Sequence, residues 1–432
     1  MEPMIPLVPE AAALRAGEVP PSAYVERLCA LIDRLDPVVR AFVPEPGRYH
    51  RLVEEARRLE ESWPAAADRP ELYGVAVGVK DVVRVDGLPT HAGSALPPGV
   101  LGGPQASLVG RLRAAGALIA GKTVTAEFAV RAPGATRNPH DPAHTPGGSS
   151  SGSAAAVAAG LVPLAIGTQT VGSVIRPAAY CGVVGFRPTY GRIPVDGVVA
   201  HSPSLDTVGV FTSDLAGTRL AAGVLCDRWT PREPGRPPVC GVPVGAYLDR
   251  VRPSARAEFD DTIRRLRDGG LEIRAVEVLG DFDALVRHLL LVDRYELARE
   301  HRDLFPRFGG LYRPETAAEI RRGHEIDAAD HTAALHARDA FRRRLADRTT
   351  AEGIDLWLTP AATGPAPRGL DSTGDAVMSL PWSFAGVPAV TLPAGRLDGL
   401  PLGLQCVGPA GGDEDLLAFA ALIEERLIAA DG

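Results

Sequence analysis

The sequence predicts an α/β protein built as one unit spanning 1–432, and three observations carry that reading. Helical and strand patterns alternate along most of the chain, as they do where a sheet is covered by helices. No internal repeat or long low-complexity linker interrupts the 432 residues, so one extended unit is expected even though the length allows roughly three domains. Val75, Val77 and Val79 alternate with small residues as a strand does, delivering Lys80 and Asp81 at its end, where such sheets commonly carry functional groups.

The elements follow in order. Ser22–Asp33 and Tyr49–Glu61 read as the first helices, followed by the strand ending at Lys80. Pro104–Ala115 is an amphipathic helix feeding a short apolar strand, Ala117–Ala120. A small-residue helix, Ser153–Gly160, precedes a strand at Leu161–Gly167. From Arg252 to Thr349 long charged helices dominate (Ser254–Asp268, Phe282–Arg302, Ala328–Ala346), which predicts that 252–349 is a helical lid or peripheral layer over the sheet. Strand patterns return at Ile354–Thr359, Ala389–Pro393 and Leu402–Val407, and the helix Glu414–Ala429 follows.

Composition excludes several classes of function. A net charge of −7 argues against a nucleic-acid grip, which needs a basic face, and makes small molecules the expected partners. Met1 to Arg15 holds Glu2 and Glu10 and no apolar run after a basic start, so no secretory signal is expected there. The longest apolar stretch, Ala154 to Gly167, contains Pro163 and is too short to span a bilayer, so no membrane partner is expected. Cys29, Cys181, Cys226, Cys240 and Cys406 are odd in number and lack CxxC spacing, which fits a reducing cytoplasm better than a disulfide frame or a zinc site.

Only two of the 46 basic residues are lysines, Lys80 and Lys122. A guanidinium stays protonated, whereas desolvation can drive an ammonium neutral and make it a base. A chain that writes Arg elsewhere either keeps Lys where deprotonation is needed or carries a coding bias that left two by chance. Gly116-Ala117-Leu118-Ile119-Ala120-Gly121-Lys122-Thr123 matches the phosphate-binding pattern literally. That loop needs a strand before its first glycine and a turn whose N–H groups cradle phosphate. Here a helix precedes Gly116 and the intervening residues read as the strand itself, so the nucleotidase reading is disfavoured. Lys122 is expected to organise a turn, its ammonium satisfied by carbonyls or by a carboxylate such as Glu127.

Around Lys80 the ingredients of acyl transfer assemble. Thr145-Pro146-Gly147-Gly148-Ser149-Ser150-Ser151-Gly152-Ser153 supplies hydroxyls, and Ser173 follows Gly172 further on. A serine needs a base to become a nucleophile, and a neutral lysine supplies one directly or through an intermediate hydroxyl. The glycine-flanked run Gly167-Thr168-Gln169-Thr170-Val171-Gly172 can turn several N–H groups toward one point as an oxyanion hole. Gly/Ser-rich segments are also often plain loops.

The wording and order of these segments resemble the amidase signature family. The resemblance rests on Gly78-Val79-Lys80-Asp81, on Pro146-Gly147-Gly148-Ser149-Ser150 and on Gly167 through Ala179. It extends through Asn138-Pro139-His140-Asp141-Pro142, Cys181 through Thr189, Ser204-Leu205-Asp206-Thr207-Val208-Gly209 and Gly399 through Gln405. Gly121-Lys122-Thr123 with Glu127-Phe128 also looks like a family segment, which accounts for the phosphate-loop match. The resemblance implies an amidase signature fold, a central mixed β-sheet covered on both faces by α-helices. It implies Ser173 as nucleophile, Ser149 as a bridging serine on a cis peptide, and Lys80 as the base beneath it. Lys80 must then be neutral near pH 7, its pKa lowered by roughly 3 from the reference of about 10.4, a cost of about 4 kcal/mol that burial can impose. The N–H groups of Thr170, Val171, Gly172 and Ser173 would hold the oxyanion. No cofactor and no metal are implied, and a homodimer is common among such enzymes.

The chain departs from the family pattern at Ser151, usually Gly, at Val171, often Gly, and at Gln169, often Asp. Ile175 stands where many members have Arg, with Arg176 one place later. This pairing resembles malonamidase-like members, in which the arginine meets a substrate carboxylate, and so suggests a small amide bearing an acid group. A structural ion pair is the competing reading of Arg176. His140 and His144 have helical metal-pair spacing, but Pro139, Pro142 and Pro146 forbid that helix, and no metal site is expected. An amide-transferring subunit dependent on a partner, or an amide or ester hydrolase of the same fold, stands as the alternative function.

Overall fold

The computed structural model describes residues 2–431. Ten strands of the described residues make one mixed sheet: β1 (Ala76–Lys80), β2 (Leu118–Thr123), β3 (Leu164–Gln169), β4 (Val184–Arg187), β5 (Thr207–Thr212), β6 (Val239–Pro243), β7 (Glu272–Val276), β8 (Leu356–Pro360), β9 (Ala389–Leu397) and β10 (Leu400–Val407). Their order across the sheet is β2-β1-β3-β5-β4-β9-β10-β8-β6-β7. The two ends are parallel, β2-β1-β3 and β8-β6-β7, and the strands between them pair antiparallel. Strands β1, β2, β3 and β5 are buried along their whole length. This is why they read as runs of small and apolar residues rather than as apolar–polar alternation. At the far edge, β7 carries exposed Glu272 and partly exposed Arg274, charges of the kind that keep an open edge from pairing with another chain.

Fourteen α-helices of the described residues surround the sheet: α1 (Leu7–Ala16), α2 (Pro21–Val39), α3 (Arg48–Ser62), α4 (Ser107–Ala114), α5 (Ser151–Ala158), α6 (Ile175–Cys181), α7 (Leu215–Leu225), α8 (Pro253–Asp268), α9 (Phe282–Glu300), α10 (Phe305–Phe308), α11 (Pro314–His324), α12 (Ala328–Ala351), α13 (Leu380–Ala385) and α14 (Asp413–Asp431). Helices α5 and α6 pack on each other and on one face of the sheet, while α7, α8 and α14 cover the other. Strand β5 shows the two sides directly. A Cβ at Gly209 would meet Val174, just before α6, whereas Thr212 Oγ1 contacts Thr218 of α7 at 2.6 Å. None of these helices is long and apolar enough to cross a membrane.

The stretch 252–349 is not a single helical layer. Its first part, α8 and β7, belongs to the sheet, and the layer proper runs from α9 through α12, with α13 packed against it. Strand β7 buries only Val276 and carries the charges of Glu272 and Arg274, which hid it among the charged helices around it. The layer is fastened down by polar contacts. Glu296 of α9 accepts hydrogen bonds from Ser202 Oγ (2.7 Å), Ser204 N (2.9 Å), Ser204 Oγ (2.5 Å) and His331 Nε2 (3.1 Å). Within the layer, α9 and α11 cross so closely that a Cβ at Gly323 would collide with the Arg294 carbonyl oxygen.

Candidate active site

Strand β1, held between β2 and β3, ends at Lys80, whose side chain is 0% exposed. Its Nζ lies 2.8 Å from Ser149 Oγ, 2.7 Å from Thr168 Oγ1 and 3.4 Å from the Thr168 carbonyl oxygen. Burial drives the Lys80 pKa down to about 7; the charge of Asp206 opposes that fall and the charge of Arg176 adds to it. At neutral pH this lysine is therefore divided between its ammonium and amine forms.

Ser149 sits in the loop that leads into α5, and the Gly148–Ser149 peptide is cis. Gly147 has φ +84°, and a Cβ there would lie 2.8 Å from Pro177 Cα, so the loop can rest on α6 only with glycine at that position. Ser150 Oγ donates to the Thr168 carbonyl (3.1 Å) and accepts from Thr168 N (3.2 Å), locking the loop to the end of β3. Ser151, where the family usually has Gly, begins α5 and donates its hydroxyl to the Val124 carbonyl at 3.3 Å.

Ser173 occupies the turn between β3 and α6 and, at 8% exposure, borders the pocket. Its hydroxyl forms no hydrogen bond with Ser149 in this geometry. Thr170, Val171 and Gly172 line the same pocket. Among the described residues the N–H groups of Val171, Gly172 and Ser173 donate no hydrogen bond within the chain. The next two, Val174 N and Ile175 N, donate instead to Gln169 Oε1 at 2.8 and 3.0 Å.

The pocket is a cleft of about 700 Å³ between the sheet and the helical layer. Ser173 and Arg176 lie on its sheet side, Val286, Leu290 and Asp293 come from α9, and the loop Ser372–Val377 closes a third side. Arg176 is buried. Its Nη2 donates to the Gly148 carbonyl at 2.5 Å and to Thr373 Oγ1 at 3.2 Å, while its Nε has no hydrogen-bond partner among the described residues. No carboxylate of the described residues lies within ion-pair distance of it, so the ion pair considered from sequence is not formed.

The family profile described as Amidase matches residues 23–417. The chain belongs to the amidase family. It is accordingly a hydrolase acting on amide C–N bonds. Among curated relatives, the amidase is 32% identical to a glutamyl-tRNA(Gln) amidotransferase subunit of Thermus thermophilus, over 96% of this chain and 95% of that protein. A crystal structure of an amidase superposes with a TM-score of 0.90 at 31% identity, covering 98% of this chain and 100% of the other. The native peptide amidase of Stenotrophomonas maltophilia superposes with a TM-score of 0.81 at 27% identity, covering 98% and 97%.

Elsewhere in the amidase, the phosphate-loop match dissolves. Residues Leu118–Thr123 are strand β2, and Lys122 lies inside it rather than at a turn. Its Nζ pairs with Asp81 Oδ1 at 2.9 Å and donates to Thr90 Oγ1 at 2.9 Å, so the carboxylate partner is Asp81 and not Glu127. Glu127 instead accepts from Arg313 N at 3.0 Å, below the helical layer. His140 Nε2 contacts the Cys181 carbonyl at 2.9 Å and His144 Nδ1 pairs with Asp141 at 2.9 Å.

Sequence reading assigned no individual role to four residues that shape this site. Thr168 contacts the Lys80 amine with both its hydroxyl and its carbonyl. Asp206 accepts from Thr170 Oγ1 (2.6 Å), His201 N (2.8 Å) and Ser202 N (3.0 Å). His201 pairs with Asp293 through Nε2 at 3.0 Å, and although burial opposes the charge, Asp293 and Asp206 hold its pKa above the ordinary value. Asp206 was legible only as part of a family-like segment, and His201 and Asp293 are brought together by the fold alone.

Proposed function

We propose that the amidase cleaves a small carboxamide through a Lys80–Ser149–Ser173 relay and a seryl acyl-enzyme. The observation that carries this reading is the 2.8 Å contact between a fully buried Lys80 and Ser149 beside the pocket-facing Ser173. A neutral amine has two N–H donors and one lone pair. The Thr168 hydroxyl and carbonyl take the donors, which leaves the lone pair for the Ser149 proton. As Ser173 Oγ attacks the amide carbon, its proton passes to Ser149 Oγ and the Ser149 proton to Lys80 Nζ. The oxyanion is held by N–H groups of Thr170, Val171, Gly172 and Ser173. The tetrahedral intermediate then expels the amine, which takes its proton from Ser149 as Lys80 returns one. Water attacks the resulting ester through the same relay and releases the acid.

Arg176 supplies the substrate preference. A buried guanidinium with no carboxylate in ion-pair range among the described residues is a costly arrangement, and a substrate carboxylate offers a closer opposite charge. An acid-amide of modest size fits the cleft. Mass spectrometry after treatment with a fluorophosphonate probe tests the relay: the adduct is expected on Ser173, and its absence there overturns the reading.

A second reading is favoured by the likeness to the amidotransferase subunit of Thermus thermophilus. There the chain would release ammonia from a substrate amide for use by a partner. Copurification of a partner with activity only in the assembled complex would establish it, whereas turnover by the isolated chain supports the stand-alone amidase. Relative rates on a matched ester and amide separate an esterase from both.

A further inference from the structure

The turn that carries Ser173 is tied to a helix far away in the chain. Gln169, the last residue of β3 and 1% exposed, directs its Oε1 at Val174 N and Ile175 N and donates its Nε2 to Ser383 Oγ at 2.9 Å. Ser383 lies on α13, is also 1% exposed, and donates its hydroxyl to the Val171 carbonyl at 2.6 Å. All four contacts are buried or partly buried, and each polar atom of the Gln169 amide has a partner.

The consequence follows from peptide geometry. The carbonyl of Val171 and the N–H of Gly172 belong to one planar trans unit and point in opposite directions. Fixing the carbonyl on Ser383 therefore turns the Gly172 N–H away from α13. Gly172 lines the pocket, and its N–H has no acceptor among the described residues. Gln169 does the complementary task. By taking Val174 N and Ile175 N onto its own oxygen, it withdraws the next two donors from the pocket side. A carboxylate at 169 accepts the same two N–H groups but has no N–H arm with which to orient the Ser383 hydroxyl.

We infer that Gln169 and Ser383 are positioning residues that set the direction of the Gly172 N–H and so preorganise the oxyanion hole. The inference rests on the Ser173 acyl-enzyme reading. Neither side chain touches the reacting atoms; both act through the Val171–Gly172 peptide.

The test is the kinetics of Ser173 phosphonylation by a fluorophosphonate, whose attack passes through a charged oxygen held in the same place. Ser383→Ala is expected to lower the maximal labelling rate by about 10–100-fold, less than the loss of a whole donor, with the half-saturating probe concentration unchanged. Ser383→Thr, which keeps the hydroxyl, is expected to restore the rate. Gln169→Glu gives an independent variant should Ser383→Ala not fold: it keeps both N–H acceptors, removes the donor to Ser383, and is expected to slow labelling in the same way. Equal rates in wild type and variants overturn the inference while leaving the acyl-enzyme reading intact. A weaker half-saturation with unchanged maximal rate also overturns it, because that reports a distorted pocket. Failure of the wild type to label at Ser173 overturns the acyl-enzyme reading, and this inference with it.

Discussion

Lys122 Nζ lies 2.9 Å from Asp81 Oδ1, so the chain's second lysine is ion-paired to the residue that directly follows its first. The two lysines sit on neighbouring parallel strands, with Lys80 opposite Thr123 and Val79 opposite Lys122. Burial lowers the pKa of both, but the charge and hydrogen bond of Asp81 resist the fall at Lys122, whereas Lys80 has only the longer-range help of Asp206. One strand pair thus holds a lysine paired to a carboxylate beside a lysine that has no carboxylate in ion-pair range among the described residues.

Removing Lys122 should be a stability lesion, not a catalytic one. Lys122→Met leaves Asp81, 1% exposed, as an uncompensated buried carboxylate, at an expected cost of about 3–5 kcal/mol. Adding Asp81→Asn, which can still accept from His91 N, should recover part of that loss. Denaturant midpoints of the single and double variants measure both effects.

The pH dependence follows from Lys80. The amine form needed for proton abstraction gains population as pH rises through about 7, so kcat/KM should climb across that value. Stability should move the same way over a wider window. The folded lysine titrates near 7 and the unfolded one near 10.5, so between them the unfolded chain binds the extra proton and unfolding becomes harder as pH increases. Lys80→Met should abolish turnover and flatten that slope, which thermal melts at pH 7 and pH 9 would reveal.

Arg176→Gln separates substrate binding from framework. On an amide bearing a carboxylate, KM should rise about 10–100-fold, the range expected for a lost charge-assisted contact. On a neutral amide of equal size it should change little. An equal loss on both substrates would assign Arg176 to bracing the Gly148 carbonyl and Thr373 instead.

Glu296 anchors the helical layer through three hydrogen bonds from Ser202 and Ser204, and a fourth, from His331, ties α9 to α12 within it. Glu296→Ala leaves Ser202, Ser204 and His331 without that acceptor and should destabilise the fold by about 3 kcal/mol. Limited proteolysis is expected to open the variant within residues 282–351 before the sheet is cut, and a wild-type digestion pattern would argue against the anchoring role.

The legible parts of this chain are those where local pattern and tertiary role agree. The run that ends at Lys80 reads as a strand and Ala76–Lys80 is one, and the helices around 49–61 and 282–302 show their buried stripe in sequence. Helix α6 was invisible because Pro177 falls in it, although proline is tolerated in a helix's first turn. Helix α13 is short and buried at every position, leaving no polar face to give a period. Lys80, Ser149 and Ser173 were found through motif wording, yet His201, Asp293 and Ser383 carry no such marking. Their parts depend on partners up to 214 residues distant, as with Gln169 and Ser383, and only the folded chain supplies those distances.

The pocket draws its walls from stretches far apart in the sequence. Thr170 to Ser173 come from the turn after β3 and Arg176 from α6, with Lys80 and Ser149 behind them, while Val286, Leu290 and Asp293 come from α9 and Ser372–Val377 from a loop beyond β8. The proposed nucleophile and Arg176 therefore lie in one stretch of sequence, 76–181, and much of the remaining lining in another, 282–377. Recombining the second stretch between sequences, with the Glu296 and His201–Asp293 anchors retained, offers a route to new amide preferences that leaves the bond-breaking apparatus untouched.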